Sequence, residues 1–176
     1  MIRIGLLSDT HGHWDERIRT HFHACDEVWH AGDLGPLPQN LSDLIPQPFF
    51  AVYGNIDDQD SRNFFPASQL LKRENLRIGL MHIAGYPGKY TQQARQFILE
   101  NKPDLFICGH SHILKVMRCK DSGHLHINPG AAGISGFHQV RTLIRFNLDK
   151  RTIRDLEVIH LGKRVRASSD ILHRPD

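Results

Sequence analysis

The first apolar stretch of the chain, residues 2–7, ends just before Asp9 and His11, and Gly12 follows. A carboxylate and an imidazole one residue apart at a strand end can point into the same crevice, because the loop that leaves a strand need not keep strict alternation. Both side chains are common metal ligands. This spacing alone is weak, since a solvated turn can have the same composition.

The same arrangement recurs four more times along the chain, where short apolar stretches are followed at once by polar side chains of ligand type. These side chains are Asp33 after residues 27–31, Asn55 after 49–53, His82 after 76–81, and His110 with His112 after 104–108. In open α/β sheets the ligand crevice lies beyond the carboxyl ends of the strands. We therefore expect the five strand ends to converge.

Together these positions offer two aspartates, one asparagine and four histidines, a ligand set without sulfur. Oxygen and nitrogen ligands of this kind suit Mn²⁺, Fe, Zn²⁺, Ni²⁺ or Co²⁺. Seven ligands are more than one catalytic ion takes, whereas two ions that share a carboxylate would use them all. Two ions about 3.5–4 Å apart are the arrangement that supports in-line attack on phosphorus.

Composition indicates a soluble, cytoplasmic protein. The chain has 176 residues, which suits one domain. Its three cysteines form neither a pairing pattern nor a Cys-x-x-Cys unit, which favours reduced thiols. No apolar run approaches ~18 residues, so neither a membrane span nor a signal peptide is expected. The 13 histidines are unusual, although several, such as His21, His23, His160 and His173, are expected at the surface.

The order of predicted elements indicates an α/β architecture with two packed sheets. Strands alternate with helices at 15–24 and 38–46 in the first part of the chain, and a third helix is predicted at 91–101. Hairpins are predicted at 69–81, 113–127 and 141–161. We expect a single domain over residues 1–176, with a core at about 1–161 and a basic tail at 162–176.

The ordered set of motifs resembles the calcineurin-like metallophosphoesterase superfamily. The motifs are Asp9-x-His11, Gly32-Asp33, Gly54-Asn55-x-Asp57, His82 and Gly109-His110-Ser111-His112. The length, His82 at a strand end and Asn128-Pro129-Gly130 after a hairpin are similar to its small bacterial and archaeal phosphodiesterase branch. The resemblance covers about residues 1–148. It implies the metallo-dependent phosphatase fold, a four-layer αββα sandwich of two mixed β-sheets flanked by helices.

The resemblance also implies roles for the ligands. Asp33 would bridge two divalent metal ions, with Mn²⁺ expected first and Fe, Ni, Zn or Co as alternatives. Asp9, His11, Asp33 and His112 would hold the first ion, and Asn55, His82 and His110 would complete the second. The implied activity is a phosphodiesterase in which a bridging hydroxide attacks a small phosphoester substrate in line. Asp33, Asn55 and His82 are the expected catalytic residues.

One departure from the family pattern concerns the proton donor. In many members a histidine follows the asparagine and is thought to protonate or orient the leaving group, but this chain has Ile56. We therefore expect a preference for diesters with good leaving groups. His13 is either a substitute acid or a solvent-facing side chain. Asp57 either accepts the N–H of a metal-bound histidine or caps a turn.

The loops that would set specificity, 58–68, 84–90 and 130–141, also depart from the family. Ile83-Ala84-Gly85 stands where the small branch usually has His-Gly-His. The loop after Gly130 differs from the usual Asn-Pro-Gly-Ser continuation. Within it, His138 and Arg141 either contact substrate phosphate or are exposed loop residues.

Two other functions are compatible with the sequence. A non-catalytic metal-binding scaffold of the same fold, as in the family's retromer subunit, also lacks the histidine at the position of Ile56, but that subunit departs at metal ligands that are intact here. A nuclease would use the tail, since residues 150–176 carry seven basic and four acidic side chains and the net charge is +3. The family's frequent dimers leave a homodimer open.

Overall fold

The computed structural model describes residues 1–164 of the chain. In chain order its helices and strands are β1 (Ile2–Leu7), α1 (Glu16–Phe22), β2 (Glu27–His30), α2 (Leu41–Leu44), β3 (Phe49–Ala51), α3 (Gln59–Phe64), β4 (Ser68–Arg73), β5 (Leu76–Met81), α4 (Gln92–Asn101), β6 (Leu105–Ile107), β7 (Lys115–Arg118), β8 (Leu125–Asn128), β9 (Val140–Asp149) and β10 (Thr152–Lys163). Among these residues, no helix has both the length and the apolar character needed to cross a bilayer.

The first sheet has the strand order β10-β9-β1-β2-β3. Strands β1, β2 and β3 are parallel, whereas β9 is antiparallel to β1 and to β10. Helix α1 forms the crossover from β1 to β2, as the sequence predicted. Its first backbone N–H groups are capped by Asp15, whose carboxylate accepts from the Arg17 N–H. The carboxyl ends of three parallel strands therefore lie at one edge.

The second sheet has the strand order β4-β5-β6-β8-β7. Strands β5, β6 and β8 are parallel, and the edge strands β4 and β7 each pair antiparallel with a neighbour. Both sheets are therefore mixed.

Three apolar clusters lie between the layers and pack them against one another. The central cluster combines one face of both sheets, for example Leu6 and Trp29 with Ile78 and Ile107. A second cluster packs Ile18 and other residues of α1 and α2 on the outer face of the first sheet. These two clusters alternate along β1, because successive side chains of a strand point to opposite faces.

The third cluster packs α4 on the outer face of the second sheet, through Ala94 and Ile98 against Phe106. Helix, sheet, sheet and helix therefore follow one another, which confirms the predicted αββα sandwich and the α/β class.

Two details differ from the sequence predictions. Helix α3 was not predicted, because its six residues show no apolar period and only Ser61 is buried. Strand β10 runs to Lys163, so the first residues of the predicted basic tail belong to the first sheet. The Arg164 N–H donates to the Gln139 carbonyl. Residues 165–176, which hold the rest of that predicted tail, lie outside the described part of the chain.

Candidate metal centre

The loops that leave the parallel strands carry five polar residues in the left-handed backbone region. Their φ angles are 54° at Asp9, 48° at His11, 56° at Asp33, 68° at His110 and 56° at His112. Residues other than glycine rarely adopt positive φ, and such conformations cluster at functional sites because they cost energy. All five are ligands that the sequence predicted. The folded structure therefore holds an unfavourable backbone at the same positions that carry the expected chemistry.

Asp9, His11 and His112 form the first group of possible ligands. One ligand atom from each lies within 4.8 Å of the other two. The Asp9 Oδ1 atom is 3.1 Å from His112 Nε2 and 4.0 Å from His11 Nε2. The two imidazole nitrogens are 3.3 Å apart. The loops after β1 and β6, strands of different sheets, thus bring these residues to one point.

Asp33, His82 and His110 form the second group, with ligand atoms within 4.8 Å of one another. The Asp33 Oδ1 atom is 3.2 Å from His82 Nε2. The other oxygen of this carboxylate, Oδ2, is 3.6 Å from His11 Nε2 in the first group. Asp33 is therefore the residue whose two oxygens face different groups.

The hydrogen bonds of His82 fix the role of its two ring nitrogens. Nδ1 lies 2.8 Å from the Ala31 carbonyl, to which it must donate. In the neutral ring Nε2 then carries a lone pair. This buried Nε2 has no hydrogen-bond partner among the described residues, although Asp33 Oδ1 is close. Two acceptors that face each other require a cation or a proton between them.

The pKa shifts of His82 and Asp33 also favour a positive charge between them. Burial alone would lower the pKa of His82, but the close Asp33 carboxylate and the charge of Asp9 favour the protonated ring and raise it. Burial would raise the pKa of Asp33, but the neighbouring His82 ring and the hydrogen bond from the Ile56 N–H lower it. The centre thus keeps a carboxylate ionised and attracts positive charge.

A hydrogen-bonded chain orients His112. His138 Nε2 donates to the Gly133 carbonyl at 3.0 Å, which leaves its Nδ1 as an acceptor. That Nδ1 lies 3.1 Å from His112 Nδ1 and accepts a hydrogen bond from its N–H group. The lone pair of His112 is thereby assigned to Nε2, the atom that faces Asp9. His138 therefore contacts a predicted ligand, a role that differs from both sequence interpretations of this residue.

Buried His30 supports the loops from below. Its Nδ1 accepts the Gly32 N–H at 3.1 Å, and its Nε2 is 2.9 Å from the Thr10 hydroxyl. Thr10 in turn donates to the Leu34 carbonyl at 2.8 Å. Burial lowers the pKa of His30 to about 3, so the ring is neutral. Sequence analysis missed His30, and its only signal was a histidine inside an otherwise apolar strand.

Asp57 joins two of the loops. Its carboxylate accepts from the Gly35 N–H at 2.8 Å and from the Gly54 N–H at 2.7 Å. Both contacts are to backbone, which corresponds to the turn-capping interpretation rather than to a bond with a histidine. A Cβ atom on Gly54 would overlap the Asp33 carboxylate, so this loop approaches the centre as closely as a backbone can.

The remaining predicted residues lie around this centre. Asn55 is exposed in the loop after β3. The next residue, Ile56, donates its N–H to Asp33 Oδ1 at 3.0 Å and has a side chain that is 45% exposed. His13 lies 3.5 Å from Asp15, and burial lowers its pKa.

Arg141 is buried and belongs to β9, not to an exposed loop. It donates to the Ala132 carbonyl and to the Asp15 carboxylate, at 2.6 and 2.8 Å. Neither interpretation made from the sequence fits this geometry. Arg141 instead ties the loop after β8 to the N-terminus of α1.

Two cavities differ in their relation to the centre. One of about 240 Å³ adjoins His110 and Ser111. A larger one of about 700 Å³ lies elsewhere, against α4 and Arg151, and none of the seven predicted ligands lines it. The smaller cavity is the one next to the centre, because His110 of the second group lines it.

Comparison with known proteins gives a consistent picture. Residues 2–151 match the model of the calcineurin-like phosphoesterase superfamily domain. A curated relative, described as a probable metallophosphoesterase of Methanothermobacter thermautotrophicus, is 31% identical over 165 residues, which cover 90% of this chain and 92% of the relative.

Solved structures share the fold at lower identity. An archaeal phosphodiesterase has a TM-score of 0.70 and 20% identity, covering 91% of this chain and 100% of the other. A predicted phosphoesterase of Streptococcus pneumoniae has a TM-score of 0.69 and 19% identity, with 95% and 94% covered. Vps29 of Chaetomium thermophilum has a TM-score of 0.70 and 13% identity, with 94% and 100% covered. These likenesses concern the fold.

Proposed function

Since the chain belongs to the calcineurin-like phosphoesterase superfamily, we propose that it is a phosphodiesterase with two divalent metal ions that share Asp33. Membership of this family supports a metal-dependent hydrolase of phosphoester bonds. We further propose two ions and a preference for diesters.

The position of the Asp33 carboxylate carries the proposal of two ions. Its Oδ1 is 3.2 Å from His82 Nε2, and its Oδ2 is 3.6 Å from His11 Nε2. Each neighbouring histidine belongs to a separate group of three possible ligands. A carboxylate whose oxygens face two such groups is suited to bridge two ions.

The residues present fit divalent ions of the first transition row. The first ion would be held by Asp9, His11, Asp33 and His112, and the second by Asp33, Asn55, His82 and His110. When bound, two such ions lower the pKa of a water molecule and neutralise the charge of phosphoester oxygens. Ala31 and His138 hold the rings of His82 and His112 so that their Nε2 lone pairs face the carboxylates. These ligands need no reorientation.

The preference for diesters with good leaving groups is supported by Ile56. This exposed apolar side chain stands where many relatives carry a histidine that assists the leaving group, and it cannot move a proton. Absence of a general acid typically lowers the rate by ~10²–10⁴-fold when the leaving group is poor. Esters of acidic alcohols depend least on such help.

The test is hydrolysis of bis-p-nitrophenyl phosphate by Mn²⁺-loaded protein, with Asp33→Ala as the variant. Loss of the shared carboxylate should lower kcat at least ~10³-fold, because metal ions supply several kcal/mol of charge stabilisation. Asp43→Ala is the matched control, since this carboxylate is exposed on α2. p-Nitrophenyl phosphate should be a poorer substrate than the diester.

Metal-dependent turnover that is equal in the wild type and in Asp33→Ala would refute the shared-carboxylate site. No turnover in the wild type would favour a scaffold of the same fold.

A further inference from the structure

A small recess opens directly beside the metal centre. It has a volume of about 240 Å³ and extends from His110 and Ser111 to the start of β7. Tyr86, Ile113 and Lys115 form its walls, and His126 and Asn128 of β8 close its floor. A phosphoester held at His110 would direct one of its ester groups into this space.

Two of the walls, Tyr86 and Ile113, are largely apolar side chains that the fold leaves exposed. Tyr86 is 38% exposed and Ile113 is 61% exposed. Neither residue belongs to the three apolar clusters that hold the layers together. Exposed apolar side chains that surround a pocket with a few polar groups are typical of ligand-binding sites.

Lys115 adds an uncompensated positive charge. Its Nζ atom lies 4.4 Å from the centre of the Tyr86 ring, a cation–π contact. Within residues 1–164, no carboxylate lies close enough to form an ion pair with this ammonium group. Its N–H groups are therefore available to acceptor atoms of a ligand.

The loop that carries Tyr86 is ordered by its own hydrogen bonds. The Lys89 N–H donates to the Tyr86 carbonyl at 2.8 Å, and the Thr91 N–H donates to the Ala84 carbonyl at 2.9 Å. Gly85 has a φ of +79°, and a Cβ atom there would overlap the Lys89 carbonyl. The ring of Tyr86 is thus presented by a turn that only glycine allows, as in a preformed binding site.

We propose that this recess, the Tyr86 subsite, binds the planar part of one esterified group of the substrate. A nucleobase, which is planar and carries acceptor atoms, has this chemistry. The inference rests on the proposed function and names its substrate class: phosphodiesters with a nucleoside on one side. Any base can stack on the Tyr86 ring once the Lys115 ammonium, which lies 4.4 Å from the ring centre, turns to donate to acceptor atoms of the base. The volume of about 240 Å³ suits one nucleoside-sized group.

Two substrates with the same leaving group test the subsite, the p-nitrophenyl ester of thymidine 5′-phosphate and methyl p-nitrophenyl phosphate. The Mn²⁺-loaded wild type should have the higher kcat/KM on the thymidine ester. Tyr86→Ala should lower that value about 10- to 100-fold, the range found for loss of base stacking, and leave the methyl ester unaffected. Tyr86→Phe, which keeps the ring, should resemble the wild type.

Two further variants complete the design. Lys115→Met should lower kcat/KM for the thymidine ester about 2- to 5-fold, as expected for one exposed cationic contact. Leu99→Ala removes an exposed apolar side chain from α4, at the larger cavity, and should change neither substrate. Equal losses on both substrates in Tyr86→Ala, or an unchanged preference for thymidine, would overturn the subsite.

Failure of the proposed function can be distinguished from failure of the subsite. If the wild type hydrolyses neither ester, the proposed function is wrong. The subsite is then tested by calorimetric binding of thymidine 5′-monophosphate and methyl phosphate to Mn²⁺-loaded protein. Tighter binding of the nucleotide that is lost in Tyr86→Ala supports the subsite. Equal binding of both ligands, or the same binding by both proteins, refutes it.

Discussion

Two histidine clusters in this fold have opposite surroundings. The metal-centre cluster, His11, His82, His110 and His112, shares its space with the carboxylates of Asp9 and Asp33. The Tyr90 cluster, Tyr90, Cys108, His124 and His126, lies at the outer face of the second sheet, where α4 packs.

In the Tyr90 cluster each ring nitrogen faces a partner with which it can exchange a neutral hydrogen bond. The Tyr90 hydroxyl is 2.9 Å from His124 Nε2 and 2.9 Å from His126 Nδ1. His124 Nδ1 is 2.8 Å from the Ser122 hydroxyl. Burial lowers the pKa of His126 to about 4 and raises the pKa of Tyr90. This cluster is complete without a cation.

In the metal-centre cluster the corresponding atoms are acceptors that face acceptors, such as His82 Nε2 and Asp33 Oδ1 at 3.2 Å. A high histidine content therefore does not by itself indicate metal binding. The indication comes from buried carboxylates that lie within reach of unprotonated ring nitrogens. Three predictions test this difference, in order of decreasing effect.

The largest effect is expected at the residue that sets the tautomer of His112. His138→Ala removes the acceptor of the His112 Nδ1–H, and loss of such a partner typically weakens metal affinity about 10- to 100-fold. His138→Asn retains an acceptor oxygen and an N–H donor and should recover most of the affinity. Isothermal titration with Mn²⁺ measures both variants, with exposed His160→Ala as the control.

Unchanged Mn²⁺ affinity in His138→Ala would contradict this role. Equal losses of Mn²⁺ affinity in the alanine and asparagine variants would show that His138 acts through packing and not as a hydrogen-bond acceptor.

For each pH unit, an intermediate effect is expected in the pH dependence of stability. The pKa of His126 is about 4 in the folded state, and its ordinary value is 6.5. As the pH falls, the unfolded chain therefore protonates this histidine before the folded protein does. The stabilisation is complete above about pH 6.5 and is lost as the pH falls toward 4, with a slope of about 1.4 kcal/mol per pH unit. Urea unfolding of metal-free protein between pH 7 and 4 measures it.

His126→Gln removes this titratable group, so its unfolding free energy should fall less steeply with decreasing pH. Parallel curves for the variant and the wild type would contradict the assignment of a neutral, buried His126.

The smallest effect is expected for Tyr90→Phe. The variant removes the hydroxyl between two buried histidines and should cost about 1 kcal/mol of unfolding free energy, the net value of one hydrogen bond. Mn²⁺ affinity and diester hydrolysis should not change. A loss of metal affinity in Tyr90→Phe would remove the distinction between the two clusters.

Much of the fold follows from local sequence patterns. Apolar runs that end in Asp9, Asp33, His82 or His110 predicted both the parallel strands and the edge at which their ligands meet. These signals are strong because strand burial and strand termination are properties of neighbouring residues.

The parts that sequence analysis missed depend on contacts between distant residues. The bonds of His138 to His112 and of His30 to Thr10 join residues separated by 26 and 20 positions. Nothing beside these histidines in the sequence indicates which ring nitrogen donates. Helix α3 escaped prediction for a different reason, since its Asp58 cap and single buried side chain leave no periodic pattern.

The most direct test of the shared Asp33 site is a manganese anomalous difference map from crystals soaked in Mn²⁺. We predict two peaks about 3.5–4 Å apart, each in contact with one oxygen of Asp33. One should lie at Asp9, His11 and His112, and the other at His82 and His110. A single peak, an empty centre, or two peaks that do not share Asp33 would contradict the account.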